Sequence, residues 1–234
     1  MLHQRQARRG RPPTTSTMKE HPILFSAPMI LALLAGTKTQ TRRIIRMRDG
    51  SLMRDEDLSV GGRTVMDFTK HYPHWQQLHS PFGKPGDRLW VRETCRAEEL
   101  PDGTNGVRYL ADNHFQPIEN TAEAALQWVK LYNYGRRRGA TVPPIHAPRW
   151  TSRLLLEKVA GRVEQLQDIS EADAQAEGVL KEDLPFNPWM NYEKSIYQLE
   201  TARESFESLW HEIHGPGSWE ANPWVWVEGF KRFS

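Results

Sequence analysis

Residues 25–43 read FSAPMILALLAGTKTQTRR, and we predict that the rest of the fold is arranged around this stretch. Ser26 suits a helix N-cap, and Pro28 occupies a first-turn position where a missing N–H is tolerated. Gly36 is placed to end the helix in a left-handed C-cap. The apolar residues between these signals form one stripe at helical spacing: Met29, Ile30, Leu33 and Leu34. The stretch therefore predicts a short buried helix near residues 27–35.

The segment after Gly36 combines cations, hydroxyl groups and β-branched residues, and it predicts a strand near 38–45. On a regular strand Thr41 and Arg43 share one face, whereas Lys38 would face the other way. Lys38 and Thr41 converge only if Lys38 still lies in the turn or if a bulge intervenes. Such a cluster of donors is suited to recognition of a phosphate group or a nucleobase.

Three segments, in this order, resemble the landmarks of ASCH domains, which are small β-barrels of the PUA-like superfamily. They are LAGTKTQTRR at residues 34–43, GKPGDRLWVRE at residues 83–93 and LQDISEADAQAEG at residues 166–178. The closing PWVWVEGF at residues 223–230 resembles the last strand of the family. The arrangement is most similar to that of ASCH proteins found in phages and prophages.

The resemblance implies an α+β fold, namely a PUA-like (ASCH) mixed β-barrel with flanking helices and large loop and helix insertions. Together with the periodicities of the chain, it predicts a single domain over residues 18–234. The predicted strands lie near 38–45, 87–95, 150–164 and 223–232, and the predicted helices near 27–35, 170–177 and 199–213. The insertions are expected at about 46–80, 98–147 and 180–198.

The net charge of +2 belongs to the N-terminal tail rather than to the body of the chain. Residues 1–17 contain four arginines and no acid, so the other residues together carry about −2. We predict that this basic tail is disordered, because it has almost no large apolar residue. Nucleic-acid binding must therefore be argued from local basic patches.

Cys95 is the only cysteine, which excludes an internal disulfide and favours a reducing cytoplasm. No apolar run approaches the length of a membrane span, and the N-terminus lacks the apolar core of a signal peptide. We therefore expect a cytoplasmic protein without a membrane partner.

The insertion near 46–80 carries three histidines, His71, His74 and His79. A zinc site needs about four ligands, normally thiolates or histidines on a regular element. Here no cysteine is nearby and Pro73 interrupts the run. We predict a solvated loop, with neither a metal nor another cofactor.

The insertion over 98–147 begins with polar, turn-rich residues and continues with a helix that Thr121 can cap. We predict that Ala125, Leu126 and Val129 form the apolar stripe of this helix. Three arginines flanked by glycines follow, namely Arg136, Arg137 and Arg138. They form either an exposed loop for phosphate contacts without base specificity or a merely solvated charge run.

Glu177 lies in the last turn of the helix predicted over 170–177, just before Gly178. The negative end of the helix dipole disfavours a carboxylate at this position. A buried Glu177 would be a candidate for proton transfer, whereas an exposed one would be an ordinary helix glutamate. Position alone favours the ordinary role, and the resemblance favours the functional one.

Some ASCH proteins are amidohydrolases that remove the acetyl group from N4-acetylcytidine, and the resemblance places their catalytic set on Lys38, Thr41 and Glu177. Amide hydrolysis needs a nucleophile, a base and a group that stabilises the oxyanion. Thr41 would attack, and Lys38 or Glu177 would move protons. Arg43 would hold a phosphate or a ring oxygen.

We therefore predict a protein that binds nucleic acid or a modified nucleobase, with a pocket able to act as an N4-acylcytidine amidohydrolase. The expected partners are RNA, single-stranded nucleic acid or a modified nucleoside, and the expected binding residues are Thr39, Arg42, Arg43, Arg136, Arg137 and Arg138. Two alternatives stay open: a ribonuclease, and a non-catalytic phage accessory protein that binds a host protein. An exposed apolar patch on the insertions would favour the host-protein alternative.

The C-terminal part of the chain contributes two further predictions. His211 and His214 lie at the end of the helix near 199–213, where two neutral histidines rarely take part in catalysis. Trp224 and Trp226 alternate with valines in the closing strand, and we predict that they belong to the core.

Overall fold

The fold is known from a computed structural model, which describes residues 18–46, 50–52, 80–182, 188–193 and 199–233. The predictions for the tail at residues 1–17 and for His71, His74 and His79 lie outside the described residues.

The described residues form strands and helices in the following order. They are β1 (Glu20–Leu24), α1 (Ala27–Ala35), β2 (Gln40–Ile44), β3 (Arg88–Arg92), β4 (Cys95–Glu99), β5 (Asn105–Tyr109), β6 (Phe115–Pro117), α2 (Ala122–Tyr132), β7 (Leu155–Gln165), α3 (Glu171–Ala176), α4 (Ala202–His214) and β8 (Trp224–Arg232). Short 3-10 turns lie at Tyr134–Arg136, Pro144–His146, Arg149–Thr151 and Leu166–Asp168. The predicted α+β class is confirmed.

The main sheet has five strands in the order β1-β3-β7-β8-β2. β1 runs parallel to β3, and the other pairs are antiparallel. Within the described residues the edge strands β1 and β2 do not pair with each other, so the sheet is open and the predicted closed barrel is not found. The Arg43 guanidinium on β2 instead donates to the Leu24 carbonyl at the end of β1. A side chain thus bridges the two edges where a barrel would need a backbone ladder.

Local signals around the opening helix are largely confirmed. Gly36 takes a φ of +77° after α1, and its N–H donates to the Leu33 carbonyl. Ser26 has extended backbone at the N-cap, but its side chain makes no capping hydrogen bond. The buried face of α1 packs with the strands into the main core, whose buried members include Ile30, Leu33, Leu89, Val91, Leu156, Val225 and Val227.

The strands keep the alternation that their sequences indicate, with two changes. In β3, Leu89 and Val91 are buried and the other three residues are half-buried. The strand predicted near 87–95 ends earlier, at Arg92, and β4 begins at Cys95. In β8, the valines are buried, whereas Trp224 and Trp226 are only half-buried. The prediction that these tryptophans are core residues is therefore wrong, because the inward positions belong to the valines.

A second, antiparallel sheet in the order β4-β5-β6 begins at Cys95 and continues into the insertion predicted over 98–147. This sheet and α2 share a second core cluster, which consists of Cys95, Ala97, Val107, Tyr109, Trp128, Leu131, Val142 and Ala147. Its strands are only five, five and three residues long, and β4 carries three charged residues, so their sequences give little strand signal.

Helix α2 buries the face opposite to the one that was predicted to be buried. Thr121 does cap it, since its side chain accepts from the Ala124 N–H at 3.1 Å. However, Leu126 and Val129 are 65% and 47% exposed. Trp128 is buried instead, and its Nε1 donates to the Gly106 carbonyl at 2.8 Å. Trp128 and Leu131 pack into the second core cluster, and the Trp128 N–H finds a partner in the sheet.

Candidate functional site

Lys38 and Glu177 meet in a buried ion pair. Lys38 Nζ lies 2.8 Å from Glu177 Oε2 and also donates to the Glu177 carbonyl at 2.7 Å. The two residues are only 2% and 1% exposed. Burial lowers the pKa of Lys38, and the Glu177 carboxylate opposes that effect. The expected contact between the first and third sequence landmarks is therefore present.

The backbone around Gly36 and Gly178 explains why these side chains meet. Lys38 precedes β2, so strand parity does not decide its direction. The Thr39 N–H donates to the Ala176 carbonyl at 2.8 Å, which ties this turn to the end of α3. Gly178 has a φ of +83°, and a Cβ there would lie 2.8 Å from Lys38 Cβ. Only glycine permits this close approach of the two segments.

Arg42 is buried beside the same carboxylate. Its Nη1 donates to Glu177 Oε1 at 3.0 Å, and its Nε donates to Glu164 at 2.9 Å. Its Nη2 also contacts Asp173 at 3.2 Å. Arg42 is 3% exposed and surrounded by three carboxylates, so its position does not fit the predicted phosphate contact.

Arg162 closes this charge network on the solvent side. It donates to Glu164 at 2.8 Å and to Asp173 at 2.7 Å. The network therefore alternates three cations with three carboxylates and has no net charge. Alternation of this kind reduces the cost of keeping Lys38, Arg42 and Glu177 out of water.

Thr41 and Glu177 line one small cavity between β2 and α4. Its lining residues are Met29, Thr41, Arg42, Arg43, Glu177, Phe206, Leu209, Trp210, Ile213 and His214. The volume open to the centre of a water molecule is about 20 Å³, which is room for one ordered water. Lys38 lies behind Glu177 and is not among these lining residues.

Arg43 supplies an unsatisfied donor beside the cavity. One of its Nη atoms donates to the Leu24 carbonyl, and its guanidinium lies 5.2 Å from the centre of the Phe25 ring. Its Nε is buried without a hydrogen-bond partner among the described residues. A buried donor without a partner is costly, so an acceptor on a bound ligand would be stabilised there.

His214 belongs to this site although its sequence position indicated no role. Phe206, Trp210 and His214 follow at spacing i, i+4, i+8 along α4, with ring centres 6.0 and 4.2 Å apart. The residue is exposed as a whole, yet its ring packs on Trp210 and lines the cavity. Partial burial lowers the pKa of His214, and the charges of Arg43 and Arg46 lower it further. The aromatic spacing along α4 is the signal that could have revealed it.

The remaining predicted binding residues are not in this site. Thr39 is exposed in the turn before β2. The three arginines of the loop after α2 are also exposed, and Arg136 has a φ of +60°. None of these residues lines the cavity between β2 and α4.

A second buried lysine–glutamate pair occurs in the main sheet. Lys158 Nζ lies 2.5 Å from Glu228 Oε2, and it donates to the Gly83 carbonyl at 2.7 Å. The Ser80 hydroxyl donates to the other Glu228 oxygen. Nothing in the sequence indicated this pair, which anchors the turn before β3 to β7 and β8.

Comparison of the chain with protein-family models, with curated proteins and with solved structures gave no match. Within the described ranges, no group of three or more histidine, cysteine or acidic side chains is arranged to hold a metal ion. Among those same residues we find no helix with the length and apolar character that a bilayer crossing requires.

Proposed function

We propose that the chain is an ASCH-type protein that hydrolyses the amide of an N4-acylated cytidine or a similar modified nucleobase. The observation that carries this proposal is the 2.8 Å contact between Lys38 Nζ and Glu177 Oε2, beside a cavity that Thr41 and Glu177 line. Buried pairs of titratable groups at a cavity are typical of acid–base sites.

The residues can be assigned a balanced reaction. The Thr41 hydroxyl oxygen attacks the acyl carbon, and its proton passes to the Lys38–Glu177 pair. The C–N bond breaks, and the exocyclic amine leaves with that proton. Water then hydrolyses the acyl-threonine ester, which releases a carboxylic acid and restores the Thr41 hydroxyl.

Two features of the site support this division of roles. Burial lowers the pKa of Lys38, which makes its neutral, proton-accepting form easier to reach. The Arg43 Nε–H lacks a partner among the residues that the structure describes, so it can donate to an oxyanion. Glu177 faces the cavity and connects it to Lys38.

The size of the cavity bears on how a substrate enters. Room for one water is too little for a cytosine ring, so substrate binding requires the last turn of α4 to move away from β2. Ile213 and His214 in this turn are already exposed. The enclosed position favours a free nucleoside over a base within a long RNA.

The test is a deacylation assay that incubates the purified chain with N4-acetylcytidine. Chromatography measures the cytidine that is produced. We expect turnover by the wild type, no turnover by Thr41→Val, and a loss of about 100-fold or more for Glu177→Gln. Glu177→Gln should still bind the substrate in equilibrium dialysis.

Glu93→Gln is the matched control. Glu93 is also buried, at 4% exposed, and is held by Arg153 at 2.8 Å, but it does not line the cavity. We expect this variant to keep its activity. An inactive wild type, or equal losses in Glu93→Gln and Glu177→Gln, would contradict the proposed function.

A further inference from the structure

The outward face of α2 carries an apolar stripe that the described part of the chain does not cover. The stripe consists of Ala122, Ala125, Leu126 and Val129, all exposed and spaced i, i+3, i+4, i+7. Leu126 and Val129 are 65% and 47% exposed. The opposite face is already occupied, because Trp128 and Leu131 pack into the second core cluster. The helix is therefore apolar on two sides, but only one side is buried.

Charged residues border this stripe in a regular way. Glu123 and Lys130 are seven residues apart, so they lie on the same flank of the helix, two turns from each other. The Glu123 carboxylate accepts from Gln127 at 3.3 Å, and Lys130 is exposed. One flank thus carries a negative charge near the N-terminus of α2 and a positive charge near its C-terminus.

We infer that α2 is a docking surface for a second copy of this chain, with the two α2 helices packed antiparallel. In an antiparallel pair the same flank of each helix meets across the twofold axis. Glu123 of one copy then faces Lys130 of the other, and the contact occurs twice. Leu126 lies close to the axis, and Val129 of one copy packs over the small Ala125 of the other.

A nucleic acid or an anionic membrane fits this face less well, and a face that binds only a different protein would leave the purified chain monomeric. A nucleic acid or an anionic membrane would be attracted by Lys130 and by the arginine loop that follows α2, but repelled by Glu119 and Glu123. A nucleic acid would also leave the apolar stripe uncovered. A second copy covers the apolar stripe and pairs Glu123 and Lys130 in one arrangement. Because α2 is only about 16 Å long, the dimer is a weak one.

The first test is sedimentation velocity of the full chain over protein concentrations from about 1 to about 500 µM. We expect a reversible monomer–dimer equilibrium, and we expect Leu126→Glu to raise its dissociation constant about tenfold or more. Ile145→Glu is the matched control, since Ile145 is 61% exposed but lies outside α2. It should leave the dissociation constant unchanged, and circular dichroism verifies the folding of each variant.

The second test exchanges the charges. Glu123→Lys and Lys130→Glu should each weaken self-association, and an equimolar mixture of the two variants should restore it as a heterodimer, because both contacts then again pair an acid with a lysine. The double variant, which carries both exchanges in one chain, should recover the wild-type dissociation constant. Added salt should weaken the wild-type dimer, where it screens an attraction, and should strengthen self-association of each single variant, where it screens a repulsion.

Three outcomes would overturn the inference. One is a wild-type chain that stays monomeric throughout the concentration series. Another is a dimer that Leu126→Glu does not weaken. The third is a monomer that binds RNA or vesicles containing anionic lipid in a manner that depends on Leu126, which would assign this face to that partner instead.

Discussion

Lys38 Nζ and Glu177 Oε2 lie 2.8 Å apart and join two segments separated by 139 residues in the chain. The pair is buried, and a second contact from Nζ to the Glu177 carbonyl orients the lysine. Its geometry is that of a charge-assisted hydrogen bond, which is stronger than a neutral one but requires both partners. The pair therefore links the stability of the fold to the candidate site.

Removing one member of this pair should cost far more than removing a lysine from an exposed pair. We expect Lys38→Met to lower the free energy of unfolding by about 3 kcal/mol, because it leaves the Glu177 charge only partly compensated. Lys231→Met is the control, since the Lys231–Glu157 pair is exposed and 3.3 Å long, and it should cost less than about 1 kcal/mol. Urea denaturation measures both. Equal costs would show that the buried pair contributes no more than the surface pair.

The double variant Lys38→Met/Glu177→Gln tests the coupling between the two side chains. Each single change takes one partner away from the buried charge that remains, whereas the double change removes both charges of the pair. We therefore expect its cost to be smaller than the sum of the single costs by about 1 kcal/mol or more. Strict additivity would mean that the contact has no energetic role.

Gly178→Ala should destabilise the protein more than Gly36→Ala does. Both glycines have positive φ, at +83° and +77°, so each alanine costs about 1 kcal/mol in backbone strain. At Gly178 the new Cβ would also lie 2.7 Å from Ala32 Cβ, whereas nothing lies within 4 Å at Gly36. Overpacking should add about 1 to 3 kcal/mol. Thermal or urea unfolding measures the loss in the free energy of unfolding for each variant. Equal losses would contradict this prediction.

Cys95 should make stability fall at alkaline pH. Burial raises the pKa of the Cys95 thiol to about 11 from an ordinary value of 9.0. Between these values the unfolded state loses the proton while the folded state keeps it, so each pH unit should cost about 1 kcal/mol. The free energy of unfolding of Cys95→Ala should fall less steeply from pH 9 to pH 11. Identical slopes, or rapid reaction of the native thiol with a disulfide reagent at neutral pH, would contradict this prediction.

His214 should titrate below its usual pH, and Arg43 should be one reason. Partial burial lowers the pKa of His214, and the positive charge of Arg43 adds to that effect. We expect the NMR titration midpoint of the His214 ring to lie below 6.5 and to rise in Arg43→Gln. Arg136→Gln removes a charge from an exposed loop and should leave the midpoint unchanged. An unchanged titration midpoint in Arg43→Gln would show that the charge of Arg43 does not affect the pKa of His214.

Features that depend on neighbours within one element were predictable from the sequence. The helix over Ala27–Ala35 and its end at Gly36 follow from periodicity and a glycine that accepts positive φ. The burial of Leu89 and Val91 follows from strand alternation. The pairing of Lys38 with Glu177 was also expected, from the resemblance to a family and because a carboxylate at a helix end is best compensated by a nearby cation.

Arg42 and Arg43 show what only the tertiary structure decided. They are adjacent in the chain and chemically identical, and both were predicted to contact a ligand. Both line the cavity, but alternation along β2 turns Arg42 toward carboxylates from β7 and α3, more than 120 residues away, while Arg43 Nε has no hydrogen-bond partner among the described residues. The sequence by itself determined that two cations follow the opening helix. The packing of distant acids determined which one is neutralised by carboxylates and which one is not.

The same reason applies to α2 and to the sheet. The sequence of α2 offers two apolar faces, and the docking of Trp128 on β5 decides which one is buried. Likewise, the strand signals do not say whether the edges of the sheet close, because closure depends on how far β1 and β2 lie apart in the finished fold. Helix ends and strand faces are determined by local geometry. Partners, exposed faces and sheet closure are determined by contacts between residues far apart in sequence.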